Sequence, residues 1–346
     1  MSTHTKRAAP RRRGRALPGL AALATEGAAA RDACAPTPTH PLRGLRVCGN
    51  LSTLELAPVL LAVDRVYEEP VVLQQGGITS LYGQPGDLPN LVARGVSDVA
   101  TNAETQGLRY SIAHPGLRII FTVSEGLYRI VGRRSAGIAG LSDLRGKRVG
   151  TMPRTSSAYY LDSVLRKVGL TDCDVEVVPF VAGSDVPLSK VPEALMKGEI
   201  DAATFWEPEL QKAQEALGSD AIEFYDPDAY REQFCLFSTE EKLSDPFLRS
   251  RIVAFLRALV SASRTVREQP QLVWPLVAAA TQQDAGIIAR AWRHHTYPAA
   301  LLPGLLDTLV DEEVWLAKES GRVPRGRPEL AALIDPTPLQ EALRHP

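Results

Sequence analysis

Leu141-Ser142-Asp143-Leu144-Arg145-Gly146-Lys147-Arg148-Val149-Gly150-Thr151-Met152-Pro153-Arg154-Thr155-Ser156-Ser157-Ala158 is the stretch on which the reading of the fold turns. A helical turn feeds a short apolar strand ending near Gly150, and a hydroxyl-rich turn over residues 153–158 then opens a helix. Two further strands are expected at residues 175–178 and 202–205. The second is entered through Lys197-Gly198-Glu199-Ile200-Asp201 and left through Trp206-Glu207-Pro208. Short strands alternating with helical patterns argue for βαβ units and a parallel sheet. In open sheets of that kind ligands bind beyond the carboxyl ends of the strands, where both turns, 154–158 and 206–208, fall.

Toward the N-terminus the same grammar repeats. Residues 44–50 read as a first strand and 53–66 as a helix with apolar positions at Leu56, Val59, Leu60 and Val63, capped by Ser52 or Thr53. A second strand follows at 71–73, then a turn-rich stretch at 76–86 and a short helix at 88–93. Arg94-Gly95-Val96-Ser97-Asp98-Val99-Ala100-Thr101-Asn102 mirrors residues 197–205: a glycine ends a helix and a buried strand begins after an acid. The mirror predicts two lobes of similar build.

Residues 117–124 and 127–133 are strand-like, and 233–238 is an apolar strand placed to carry the chain back toward the first lobe. After Asp245-Pro246, Ile252, Phe255, Leu256, Leu259 and Val260 keep helical spacing, and the C-terminal third reads as all helix. The expected plan is a basic leader and Pro-rich linker over 1–41, the first part of lobe 1 over 42–134, and lobe 2 over 135–232. Residues 233–346 return to lobe 1 and supply the closing helices.

The motifs resemble those of the nitrate, sulfonate and taurine-binding group of ABC-transporter substrate-binding proteins. The resemblance rests on Asp143-Leu144-Arg145-Gly146-Lys147-Arg148-Val149-Gly150, on Thr155-Ser156-Ser157-Ala158, and on Gly198-Glu199-Ile200-Asp201-Ala202-Ala203 followed by Trp206-Glu207-Pro208. It extends over residues 42–317 and is weakest at 74–85. It implies an α/β, two-lobed periplasmic-binding-protein-like fold, each lobe a mixed sheet flanked by helices, with a helical C-terminal region.

Composition agrees. With 346 residues, 45% hydrophobic and 23% charged, the chain is long enough for two compact lobes, and its net charge of -1 gives no overall pull toward nucleic acid. The strong basic run is N-terminal, with Lys6, Arg7, Arg11, Arg12, Arg13 and Arg15 ahead of any acid. It leads into the apolar residues 16–25 and then Ala28-Ala29-Ala30, the basic, apolar, small order of an export signal, and the arginine cluster points to the twin-arginine type. A disordered basic leader on a cytoplasmic protein is the competing reading. No later apolar run approaches the ~20 residues needed to span a bilayer, so a soluble mature protein is expected. Cys34, Cys48, Cys173 and Cys235 show no metal-ligand spacing and read as free thiols.

In a receptor of this kind a few polar groups meet the ligand between the lobes. Thr155, Ser156 and Ser157 open a helix whose free amides and dipole favour an anion, although capping by Thr155 or Ser156 would explain them equally. Trp206 and Glu207 leave a strand where an indole face and a carboxylate could grip a ring or an amine, or merely begin the next helix. Asn50 and Ser52 follow the first strand, and Thr101 and Asn102 the third, positions that also suit turn chemistry. Resemblance favours ligand contact for Asn50, Thr101 and Asn102. Glu125 and Tyr128, near the crossover, are further candidates.

For catalysis there is little. His294 and His295 are adjacent in what reads as helix and cannot present one metal-binding face. No nucleophile elbow, phosphate loop or paired-histidine zinc helix occurs. No metal or cofactor is expected. The resemblance implies an exported, monomeric solute-binding protein that captures a small anionic organic molecule, such as a sulfonate, nitrate or an aromatic carboxylate, for an ABC permease. The alternative is a cytoplasmic enzyme on the same fold, a lyase, a decarboxylase or a pyrimidine-precursor synthase. The cysteine-rich iron-binding run of that synthase is absent here.

Overall fold

A computed structural model of the chain describes residues 44–84, 96–180 and 188–344. The leader at 1–41, Cys34, the short helix expected at 88–93 and the Arg94-Gly95 end of the repeated pattern lie outside the described residues.

Strands β1 (Leu45–Gly49), β2 (Val71–Gln75), β3 (Val99–Ala103) and β4 (Leu117–Gly126) open the first lobe. The second lobe holds β5 (Arg129–Arg133), β6 (Arg148–Thr151), β7 (Glu176–Pro179), β8 (Ala202–Ala203) and β9 (Ala221–Tyr225). The chain then returns through β10 (Glu232–Thr239) and β11 (His295–Thr296). The sheets run β11-β4-β10-β3-β1-β2 and β7-β6-β8-β5-β9. In each, a parallel trio (β2-β1-β3 and β7-β6-β8) meets an antiparallel strand, β10 in the first and β5 in the second. That antiparallel strand is always the one that has just crossed from the other lobe.

The helices are α1 (Ala57–Leu61), α2 (Glu104–Ala113), α3 (Ser156–Lys167), α4 (Val191–Lys197), α5 (Glu209–Leu217) and α6 (Glu240–Ser244). The C-terminal set is α7 (Pro246–Glu268), α8 (Trp274–Thr281), α9 (Ala285–Ala291), α10 (Leu305–Glu319), α11 (Arg327–Ala331) and α12 (Thr337–Arg344). Asp245 starts α7 by accepting the amides of Phe247 and Leu248 at 2.9 and 3.1 Å, with Pro246 in the first turn. The helix buries Ile252, Phe255, Leu256 and Leu259 against Ile120, Phe121 and Leu236 of the sheet. Each such side chain contributes ~2 kcal/mol of apolar burial. In the second lobe Phe180, Leu195, Ile200 and Phe205 pack around Val131.

The repeated pattern has a physical basis. Arg46 donates its backbone amide to Asp98 Oδ2 at 2.8 Å and its guanidinium to both carboxylate oxygens, at 3.2 and 2.5 Å. Arg148 treats Asp201 identically, at 3.0, 3.1 and 2.8 Å. Each aspartate returns its own amide to the arginine carbonyl at 2.8 Å. The acid before each third strand thus anchors an arginine at the start of the adjacent strand, a two-point, charge-assisted lock that sets the register of both trios. At the end of α4, Gly198 has φ +69, the left-handed conformation that favours glycine, and a Cβ there would also press on the Arg133 guanidinium at 2.6 Å.

Four expectations change. The sheet crossover occurs at Leu127-Tyr128, so residues 129–133 pair with β8 and β9 in the second lobe, where Arg129 finds its carboxylate partners. The strand at 202–205 is shortened to Ala202–Ala203. The helix at 53–66 is α-helical only over Ala57–Leu61, between a tight turn and a wide one, with Pro58 unable to donate in its first turn. Thr53 does not cap it; its hydroxyl points back to the Asn50 carbonyl at 3.5 Å. Lastly, the C-terminal third is not all helix. After a turn over Trp292–His294, His295 becomes extended and β11 covers the free edge of β4 at Gly126 and Glu125.

Candidate functional site

The carboxyl ends of both parallel trios face one another, and a cavity of about 50 Å³ lies where they meet. Lobe 1 supplies Asn50 beyond β1, Thr53 and Glu55 from the following turn, and Asn102, Ala103 and Gln106 around the β3 to α2 junction. Lobe 2 supplies Met152, Thr155, Ser156 and Trp206. Glu232 and Phe234 enter from the start of β10, which runs antiparallel and therefore begins at the same edge. Glu55 and Trp206 also wall a smaller adjoining hollow with Tyr128, Glu207 and His295.

Of the nine candidates at strand and helix ends, Asn50, Asn102, Thr155, Ser156 and Trp206 line the cavity and Glu207 its annex, which Tyr128 from the crossover also walls, while Glu125 accepts from Thr296 at 2.9 Å. Three stand elsewhere. Ser157 is spent within lobe 2, bonding Thr151 Oγ1 and the Thr204 carbonyl at 2.6 Å each. Thr101 points to the opposite face of β3 from Asn102, into the core beside Gly49. Ser52 is exposed, its amide held by Asn50 Oδ1 at 3.2 Å. Thr155 does not cap α3; its hydroxyl donates to the Met152 carbonyl at 2.7 Å.

The charge of the site differs from the expectation. At the start of α3, where a bound anion was anticipated, the protein places its own carboxyl: Glu232 Oε1 accepts from Ser156 Oγ at 2.8 Å and from Tyr128 Oη at 3.3 Å. Tyr128 and Ser156 also bond each other at 2.9 Å. Burial, reinforced by Glu55 and Glu104, holds the Glu232 carboxyl well above the usual carboxylate range. Tyr128 is likewise raised by burial and by Glu232, so its hydroxyl stays a donor. Glu55 is equally buried, its Oε1 3.4 Å from His295 Nε2. Among the described residues, no lysine or arginine lines the cavity.

Glu207 serves the scaffold. It is 4% exposed and meets the fully buried Arg129 at 2.7 and 2.9 Å, while its second oxygen accepts the Gln211 amide at 2.9 Å and starts α5. Arg129 also reaches Glu223 and Gln214. This network fixes the turn that presents Trp206. Beside it, His294 is held neutral, its pKa lowered to about 3 by burial and by Arg129 and Arg293. At the cleft edge, Gln106 Nε2 and Arg109 Nη1 both donate to the Arg154 carbonyl, at 2.9 and 3.1 Å, closing lobe 1 onto a lobe 2 residue held at φ 64.

Sequence reasoning missed Glu55, Gln106, Glu232 and His295. Glu55 interrupts the apolar run Leu54-Glu55-Leu56, and Glu232 heads an apolar strand; an acid in such company is the signal that could have found them.

The family model described as NMT1/THI5 like matches residues 79–272. A Haemophilus influenzae protein named for thiamine biosynthesis is 28% identical over 193 residues, 54% of this chain and 57% of that protein, so the match spans little more than half of the relative's length. Among solved structures, the periplasmic aliphatic sulphonate-binding protein SsuA of Escherichia coli superposes with a TM-score of 0.64 at 17% identity, covering 84% of this chain and 92% of its own. The desulfurization enzyme DSZB superposes with a TM-score of 0.56 at 17% identity, covering 88% and 100%. These likenesses show the periplasmic-binding-protein fold, on which both a binding protein and an enzyme are built. With more than half its length matched by the family model, the chain belongs to the NMT1/THI5-like family.

Proposed function

We propose that this protein is the exported solute-binding component of an ABC importer and that its ligand is a small, nitrogen-rich heterocycle, neutral or cationic, presenting N–H donors. The observation that carries this reading is the lining of the interlobe cavity. Two buried carboxyls, Glu55 and Glu232, face it together with the amide side chains of Asn50, Asn102 and Gln106 and the indole of Trp206. Carboxyls and amide oxygens select donors, and an indole face stacks on a ring or a cation. The name of the Haemophilus relative supports a heterocyclic ligand. The reading departs from the anionic ligand expected from the start of α3.

A cavity of about 50 Å³ is far smaller than the ~300 Å³ at which small-molecule pockets begin, so uptake requires the lobes to part. Ligand contacts contributed by both lobes exist only when the lobes are together, which is how binding shifts the population toward the closed form. Export is supported by the basic, apolar, small order of residues 6–30. One observation favours an enzyme instead: the buried Glu55 and His295 pair is the arrangement of a carboxylate orienting a base.

Thermal-shift titration of the purified protein with aminopyrimidines, aromatic carboxylates and sulfonates, followed by mass spectrometry of the recovered ligand, separates these readings. A stabilising aminopyrimidine recovered unchanged supports the binding protein. Recovery of an altered molecule makes it an enzyme, and stabilisation by sulfonates alone defeats the ligand class.

A further inference from the structure

The cleft contains a carboxyl whose position is stranger than its presence. Resting on the reading of the cleft as a ligand site, we propose that Glu232 is its charge filter: a built-in carboxyl at the start of α3 that refuses sulfonate-like ligands and accepts an N–H donor or cation at its free oxygen.

The two oxygens of Glu232 have different fates. Oε1 takes the hydroxyls of Ser156 and Tyr128, the groups nearest the α3 N-terminus, so the place where an incoming anion would profit from those donors is already filled. Oε2 is buried and has no hydrogen-bond partner among the described residues, although the residue is only 4% exposed. A buried acceptor left in that condition costs ~1–3 kcal/mol, which a ligand donor would recover.

The space beside Oε2 is kept by a glycine. Gly126 pairs with Glu232 across β4 and β10 and with His295 across β4 and β11. A Cβ on Gly126 would lie 3.0 Å from Glu232 Oε2 and 3.9 Å from His295 Nε2. Glu55 Oε1 approaches the same imidazole nitrogen at 3.4 Å. Three ionisable groups therefore gather around one glycine, two of them acids, an arrangement suited to an amidine-like or aminopyrimidine edge and hostile to an anion. Burial, and then Glu55 and Glu104, raise the Glu232 carboxyl against the opposing hydroxyls of Ser156 and Tyr128.

The test is isothermal titration of the full-length protein and its E232Q and G126A variants with benzamidine, 4-aminopyrimidine and ethanesulfonate, with circular dichroism confirming that each variant is folded. Wild-type protein should bind one of the nitrogen bases and not ethanesulfonate. E232Q should lose at least tenfold in base affinity and gain ethanesulfonate binding. G126A, with Glu232 intact, should lose base affinity without gaining ethanesulfonate, and it carries the test if E232Q does not fold. Ethanesulfonate binding to wild-type protein, or E232Q keeping base affinity within twofold, overturns the filter. If wild-type protein binds neither class, the ligand reading of the cleft fails, and the filter stands only if E232Q then binds ethanesulfonate; if E232Q does not, the filter falls as well.

Discussion

Arg129 and Glu207 form an ion pair from which water is excluded, guanidinium Nη2 to carboxylate Oε1 at 2.7 Å, with the arginine fully buried. One partner opens β5 just after the chain enters the second lobe, and the other precedes α5. Removing one member strands the other's charge in the interior. Arg129→Ala should therefore cost about 3–5 kcal/mol in urea denaturation, whereas Arg129→Met combined with Glu207→Gln should recover much of that loss. Equal instability of the single and double variants would show that volume, not charge, governs the site.

The two arginine-aspartate locks should act independently. Asp98→Asn and Asp201→Asn each loosen a partly exposed pair, at a cost of about 1 kcal/mol, and because they sit in different sheets the double variant should equal the sum within about 0.5 kcal/mol. A markedly non-additive double variant, measured by denaturant unfolding, would mean that the lobes do not keep register separately.

Stability should fall as pH rises above the acid range. Burial raises Glu104 from 4.5 to about 8, against the opposing hydrogen bonds of the Gln233 backbone and of Tyr230, whose hydroxyl donates to Oε1 at 2.8 Å. Between these two values the folded chain holds a proton that the unfolded chain has lost. This contribution is thus complete below about pH 4.5 and is lost by about pH 8, at up to ~1.4 kcal/mol per pH unit. Glu232 and Glu312, also raised by burial, act in the same direction. Denaturation at pH 5 and pH 8 should show the loss in wild-type protein and a smaller one in Glu104→Gln; an unchanged loss in the variant would remove Glu104 from the account.

Ligand binding should expel a proton. Glu232 faces Glu55, Glu104, Tyr128, Ser156 and His295, and in that buried setting its carboxyl keeps its proton to higher pH than an ordinary carboxylate. A cation seated at Oε2 favours the ionised form, so benzamidine should bind more tightly as pH rises and release protons on binding. Titrations at pH 7 in two buffers of different ionisation enthalpy measure that release directly; identical heats in both would contradict it.

Much of the architecture was legible because it rests on periodicity and punctuation. Gly198 before Ile200-Asp201 and the acid heading each third strand announced the doubled trio, and the lock geometry explains why those acids recur. The crossover at Leu127-Tyr128 was not legible, since an apolar strand carries no mark of which sheet it will join. In the cleft, residues at strand ends were found by position, but adjacent ones diverged. Asn102 faces the cavity while Thr101, one pleat away, is core, and Ser156 lines it while Ser157 bonds inward. The acids that set the charge were invisible to spacing: Glu55 and Glu232 are remote in the chain and meet only when β10 returns beside β3.

The exchange of antiparallel strands between sheets also orders events in time. Every strand of the second sheet lies within one uninterrupted run, Arg129 to Tyr225, whereas the first sheet waits for β10 to pass between β3 and β4. On the ribosome the inner lobe has all its strands while the outer one is still an open pair of halves. Segments 45–126 of a nascent chain must therefore be held, unfinished, until residues 232–239 emerge to join them.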